Sequence, residues 1–227
     1  MPIYQLRVVL RDISPLIWRR VLLQSESTLA DLHAVLQIAF DWTDEYIHRF
    51  RIHGKDYGRC HDGGMHFADD PKAVKLTRFG FRPGERFRYV YNLSARWEAD
   101  IRLEAVLEPD AKRAYPVCVG GQRAAPPEGG AGAWAYMQKL DQHAPPLEEI
   151  QRMAEAARVI LEAGPKISVQ EAVGDLEEFR DSLERLEAYQ EFQPDHFSRR
   201  QVNAQLRVWG RGEGGQREGA SPNGGGQ

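Results

Sequence analysis

Tyr4, Leu6, Val8 and Leu10 alternate with Gln5, Arg7 and Arg11. A period of two over this length makes a strand with one buried face, and that face must find a cover. Ser14-Pro15 punctuates the chain, and Ile17-Trp18-Arg19-Arg20-Val21-Leu22-Leu23 reads as the hairpin partner. The cover comes next: Thr28 and Asp31 have the spacing of a capping box, and Leu29, Leu32, Leu36, Ala39 and Phe40 fall on one helical face. His48, Phe50 and Ile52 then alternate with Arg49, Arg51 and His53, giving a third strand that turns at Gly54. Strand–strand–helix–strand is the order of a β-grasp. A two-stranded hairpin is marginal in water, so the helix has to lie across a sheet.

Further along, Phe87, Tyr89 and Tyr91 line one face of a strand. Trp97, Ala99, Ile101, Leu103, Ala105 and Leu107 line the next, which Pro109 ends. Tyr115 to Trp134 is rich in Gly, Pro and Ala and reads as a loop. Glu148 to Ala163 is helical in composition and stops at Gly164-Pro165. Ser168 caps a second helix in which Val169, Val173, Leu176, Phe179, Leu183 and Leu186 recur at three and four. Gln193-Pro194-Asp195 opens a last helix through Leu206. The expected fold is α+β: an enlarged β-grasp-like mixed sheet covered by a helix, with an added C-terminal helical hairpin. Residues 1–147 form the sheet domain, 148–209 the hairpin and closing helix packed on it, and 210–227 a disordered glycine-rich tail.

Charge narrows the function classes. The net charge is −3. Residues 1–147 hold 20 Lys and Arg against 18 Asp and Glu, whereas 148–209 hold 8 against 13. Nucleic-acid binding wants a basic stripe. The local basic excess between Arg51 and Arg96 is spread along alternating strands, as on a solvated face, which argues against a nucleic-acid partner. No apolar run approaches the ~20 residues of a transmembrane helix, and the first residues carry no secretory apolar core. Two cysteines, Cys60 and Cys118, make no disulfide framework and fit a reducing cytoplasm.

Several separated segments resemble the plasmid pRiA4b third-open-reading-frame family. They are Ile17-Trp18-Arg19-Arg20-Val21, Thr28-Leu29-Ala30-Asp31-Leu32-His33, Ile38-Ala39-Phe40-Asp41-Trp42 and His48-Arg49-Phe50, then Tyr115-Pro116-Val117-Cys118-Val119-Gly120-Gly121, Pro126-Pro127-Glu128 and Trp134-Ala135-Tyr136. Phe192-Gln193-Pro194-Asp195-His196-Phe197 with Val202-Asn203 closes the set. The resemblance implies an α+β sheet with covering helices, and passenger genes of plasmids and insertion elements, some labelled resolvase. It implies no established activity. Where the family usually has Asp-Phe-Gly-Asp-x-Trp-x-His, this chain has Asn92-Leu93-Ser94-Ala95-Arg96-Trp97-Glu98-Ala99, keeping only Trp97. Ala125 stands where a second cysteine usually follows the Gly-Gly pair.

The chemistry is correspondingly sparse. Around Tyr4 the chain lacks the Tyr-x-Arg-Val-Ser of a serine recombinase, and its last helices sit in the acidic segment. A metal reading rests on Cys60, His61, Asp62 and His66, with Cys118 or His48. His61 and His66 are spaced as a zinc pair, but no second pair joins them. Cys118 precedes Gly120-Gly121 without a histidine fixed nearby by sequence. Trp97, Tyr115, Arg123 and Trp134 remain as the anchors of a binding patch, aromatics with an arginine being the usual makings of one. The expectation is a non-enzymatic binding or accessory module of a mobile element, cytoplasmic, without cofactor, acting on a protein partner. The alternative is a metal-dependent hydrolase or nuclease using Cys60, His61, His66 and Cys118.

Overall fold

The alternation at the N-terminus becomes β1 (Ile3–Leu10), paired antiparallel with β2 (Trp18–Gln24). In this computed structural model, which describes residues 1–58, 67–143, 145–164 and 167–213, helix α1 (Leu29–Phe40) follows. Both halves of its capping box are made: Asp31 N–H donates to Thr28 Oγ1 (3.1 Å) and Thr28 N–H to Asp31 Oδ2 (2.7 Å). All five residues of the apolar stripe are buried. The helix ends at Asp41, whose left-handed backbone (φ 56°) turns the chain away.

Strands β3 (His48–Ile52), β4 (Lys55–Gly58), β5 (Arg86–Tyr91), β6 (Trp97–Leu107) and β7 (Val117–Gln122) complete one seven-stranded sheet in the order β4-β3-β5-β6-β1-β2-β7. The fold class is α+β, as expected, but every pair is antiparallel, so the expected mixed sheet is corrected. The Asn92–Arg96 turn between β5 and β6 is too short for the crossover a parallel pair requires. Two other readings change. The loop expected from Tyr115 to Trp134 contains β7, and the strand turning at Gly54 returns as β4. Glu104 is the extra residue of a bulge opposite Gln5 and Leu6, where the burial alternation of β6 fades.

One sheet face carries Leu6, Val8, Val21, Leu23, Tyr89, Ile101 and Leu103, all buried. The other is laced with ion pairs: Arg88 to Glu98 (3.2 Å), and Arg20 to Glu104 (2.6 Å). The basic excess between Arg51 and Arg96 thus includes Arg88, already neutralised by acidic neighbours.

By internal contacts the chain divides into two units, Met1–Met137 with the closing segment from Asp195, and Gln138–Pro194. In the first, α2 (Ala133–Gln142) begins and α6 (Arg199–Glu213) closes against β7 and α1, burying Val202 and Leu206. Asn203 bonds both sides of the Cys118 peptide, accepting from its N–H (2.7 Å) and donating to its carbonyl (2.8 Å). In that way it occupies the free edge of β7. Helix α6 runs past Leu206 to Glu213, so the first residues of the expected disordered tail are helical. The rest of that tail lies outside the described residues.

The second unit holds α3 (Leu147–Ala163), α4 (Val169–Val173) and α5 (Leu176–Glu191). The single helix expected from Ser168 is two, because Gly174 takes a positive φ (73°) and Asp175 caps a fresh start by accepting from Glu177 and Glu178 N–H. Arg152–Glu178 (2.6 Å) and Arg185–Glu149 (2.7 Å) join α3 to α5. Among the described residues no helix is long and apolar enough to cross a membrane.

Candidate functional site

The four residues expected to form a binding patch have different surroundings. Trp97 is 2% exposed; its Nε1 donates to the Glu128 carbonyl (3.1 Å) and its ring meets Tyr136 edge-on. Tyr115 is half-buried, and its hydroxyl accepts from Asp110 N–H (3.1 Å). Arg123 Nη1 pairs with Asp195 Oδ1 (2.6 Å), tying the start of the closing segment to the end of β7. Trp134, on α2, is 73% exposed. No hydrogen bond, ion pair or ring contact joins any two of the four among the described residues.

Of the alternative metal set, Cys60, His61 and His66 lie outside the described residues. Cys118 is buried, and its thiol donates to the Gly120 carbonyl (3.3 Å). Burial raises its pKa, so the sulfur stays protonated and weakly nucleophilic at neutral pH.

The structure gathers polar residues around Pro126-Pro127-Glu128 instead. Trp42 Nε1 donates to the Pro126 carbonyl (2.9 Å), and Asn92 Nδ2 joins Trp97 on the Glu128 carbonyl (2.8 Å). The Glu128 carboxylate accepts from Thr43 N–H (2.9 Å), the Thr43 hydroxyl and the Tyr91 hydroxyl (2.6 Å). Burial works against ionisation of Glu128, but these bonds prevail and hold its pKa below the ordinary value. Burial, followed by the bond to Glu128, pushes the Tyr91 phenol upward. Asn92, in place of the family's first aspartate, has a left-handed backbone (φ 49°) and accepts from Ser94 and Ala95 N–H. An aspartate could make this turn equally.

That loop walls a cavity of about 270 Å³ with the end of α1 and the start of α6; Arg19, Phe40, Ala125, Pro127, Phe197 and Val202 are in its lining. Arg19 is 2% exposed and has no carboxylate partner among the described residues. Its Nε donates to the Ala39 carbonyl (2.7 Å), and Nη1 to those of Trp18 (2.8 Å) and Gln122 (3.0 Å). The rings of Phe197 and Phe40 lie 4.2 and 5.1 Å from its Cζ. Burial lowers the guanidinium to about 10, so it is still charged at neutral pH. Sequence reasoning quoted Arg19 within a motif and missed its placement. The signal was its phase: it falls in step with Ile17, Val21 and Leu23 on the apolar side of the strand. Asp41, His196 and Ser198 also line the cavity, but no hydrogen bond joins any two of them, and Ser198 Oγ caps α6 by accepting from Gln201 N–H (3.2 Å).

His33, Asp44 and His48 are the described residues that could hold a metal, with donor atoms within 4.8 Å of one another. Their geometry describes a hydrogen-bonded circuit. Asp44 N–H donates to Gln37 Oε1 (3.1 Å), and Gln37 Nε2 to the Tyr89 hydroxyl (2.9 Å). Tyr89, held neutral by burial, then donates its O–H to His33 Nδ1 (2.8 Å), leaving Nε2–H to donate to Asp44 Oδ1 (2.7 Å). The His33 and His48 rings stack at 3.5 Å and 12°. Parallel rings aim their lone pairs side by side, so both would have to tilt to meet on one ion.

Comparison with known proteins gives a consistent answer. "Uncharacterized protein y4hQ" of Sinorhizobium fredii is 28% identical over 148 residues, 65% of this chain and 76% of that protein. The crystal structure of MM3350 from Methanosarcina mazei Go1, a protein of unknown function, superposes with a TM-score of 0.63 at 27% identity, covering 88% of this chain and 96% of that one. Both relatives are without an established function, and neither description names a hydrolase or nuclease. The family description "Plasmid pRiA4b ORF-3-like protein" matches residues 2–158, and the chain belongs to that family.

Proposed function

We propose that this chain is a non-enzymatic binding or accessory module, carried by plasmids or mobile elements and acting on a protein partner in the cytoplasm. Its site is the ground between the end of α1, the loop 123–128 and α6. The observation that carries the reading is the cavity over Arg19, continued by an open groove of about 590 Å³ lined by Ile38, Trp42, Val208 and Trp209. Concave, largely apolar ground with a few fixed polar groups is what ligand sites are made of. Trp97 and Arg123 serve this reading as positioning residues for the loop, and Tyr115 belongs to the turn that leads into β7. Trp134 is the one of the four whose indole is free to touch a partner.

The test is a fragment titration of the ¹⁵N-labelled full chain. Shifts should concentrate at residues 38–43, 124–127 and 198–208; shifts scattered elsewhere, or none, would refute the assignment. Trp134→Ala should leave the melting temperature within about 1–2 °C of the parent, since exposed positions tolerate truncation. Zinc- or manganese-dependent phosphodiester hydrolysis, abolished in Cys118→Ala, would overturn the non-enzymatic reading.

A further inference from the structure

Arg19 sets a problem that the fold does not solve. A buried charge is ordinarily paired with an opposite one, because its lost hydration must be replaced. Besides the rings of Phe197 and Phe40, Arg19 has only three neutral carbonyls, spent on Nε and Nη1. Its Nη2 makes no hydrogen bond among the described residues, although the side chain lines a cavity. A buried cation in the wall of a cavity, with one nitrogen left unbonded by the protein, is half of an ion pair.

We propose, resting on the binding reading above, that this cavity takes a small monocarboxylate, with one carboxylate oxygen accepting from Arg19 Nη2 and an apolar body against Phe197, Pro127 and Val202. Each limit on the ligand comes from the walls. About 270 Å³ is below the ~300–1,000 Å³ of sites for drug-sized molecules, so the ligand is an aromatic or short aliphatic acid, or the last residue of a peptide. The spare donor group is a single nitrogen, too little for the clamp of several donors that a phosphate needs. Asp41 lies in the same lining and opposes a second negative charge. The apolar side chains favour a hydrocarbon over a hydrated ion.

Calorimetric titration of the full chain with benzoate, benzamide and inorganic phosphate tests this. Benzoate should bind about tenfold or more tighter than its isosteric amide, the worth of one charge-assisted hydrogen bond. Phosphate should not displace it. A tripeptide ending in free phenylalanine, run against its C-terminal amide, separates the two sources of the carboxylate: tighter binding of the free acid than of benzoate marks a peptide terminus as the ligand. Arg19→Gln removes the donor but endangers the fold, so Ala125→Phe is the decisive variant. It puts a ring into the cavity from its lining, and should abolish benzoate binding while the melting temperature holds. Equal affinity for benzoate and benzamide would overturn the carboxylate assignment while leaving the binding reading intact. Retention of benzoate by Ala125→Phe would place the ligand elsewhere and overturn the inference. Failure of benzoate, benzamide and the fragment titration together would sink both.

Discussion

Gly121 and Phe197 are the point where the closing segment meets the sheet, and their contact can be tested as a cycle. A Cβ built on Gly121 would lie 2.5 Å from two ring atoms of Phe197 and 3.0 Å from Arg19 Cδ. The backbone there is not left-handed, so alanine is excluded by the neighbours and not by its own conformation. The ring has to swing aside in Gly121→Ala. Overpacking of this kind costs ~1–3 kcal/mol, and leaving the Arg19 guanidinium forfeits a further ~1 kcal/mol. At ~2–4 °C per kcal/mol for a chain of this size, the melting temperature should fall by about 4–16 °C. Phe197 is half-buried, so Phe197→Ala should cost about 2–3 kcal/mol, less than the ~3–5 of a fully buried ring, with the stacking loss included. In the Phe197→Ala background the 2.5 Å clash is gone, and only the flexible arginine stem must yield. Gly121→Ala should then be nearly free, or even favourable by the ~0.4–1 kcal/mol that alanine removes from the unfolded chain's entropy. Denaturant melts of the four proteins give the coupling directly, expected at about 2–5 kcal/mol. Strictly additive changes would mean that the ring does not sit over Gly121.

Two further outcomes follow from described bonds. Glu104 has its pKa lowered chiefly by the hydrogen bond from Arg20, so its contribution is present above its ordinary value of 4.5 and lost as pH falls through the depressed one. Glu104→Gln should therefore be clearly less stable than the parent at pH 7, with the gap closing below about pH 4; a gap that does not change between pH 7 and pH 3 would refute the ion pair's role. Trp97→Phe keeps most of the ring but removes the donor to the Glu128 carbonyl, and should cost ~1–3 kcal/mol by chemical denaturation. A neutral result would mean that Asn92 alone holds that carbonyl.

Local patterns carried the N-terminal half. The strands at Tyr4 and Ile17, the stripe of α1 and its capping box depend on neighbours within a few residues, and they can be read directly. Strand direction is a different matter: whether β6 runs with or against β1 is decided by chain that folds between them. Strand β7 hid behind Gly120 and Gly121, which lower strand propensity but admit the rings of Trp18 and Phe197 against the backbone. Gly174 was legible as a helix breaker and lost to the apolar repeat on either side of it. At the site, Trp97, Tyr115, Arg123 and Trp134 stand out by type, and type does not reveal the company a side chain keeps. Arg19 was legible by phase alone, as a charge in step with an apolar face.

The first unit is assembled from two stretches of chain separated by Gln138–Pro194. A ribosome that has finished all seven strands has therefore not finished that unit, because the ring that stacks on Arg19 and the amide that occupies the edge of β7 are still to be made. The nascent sheet waits through the whole excursion with that edge unsealed. Yet the length of the excursion is nearly free once the chain is complete. The entropy of closing a loop grows only as the logarithm of its length, ~0.6 kcal/mol for each doubling. Segments inserted there can lengthen, shorten or be exchanged across related proteins at little thermodynamic penalty, while the time spent with β7 uncovered rises in proportion to every residue added.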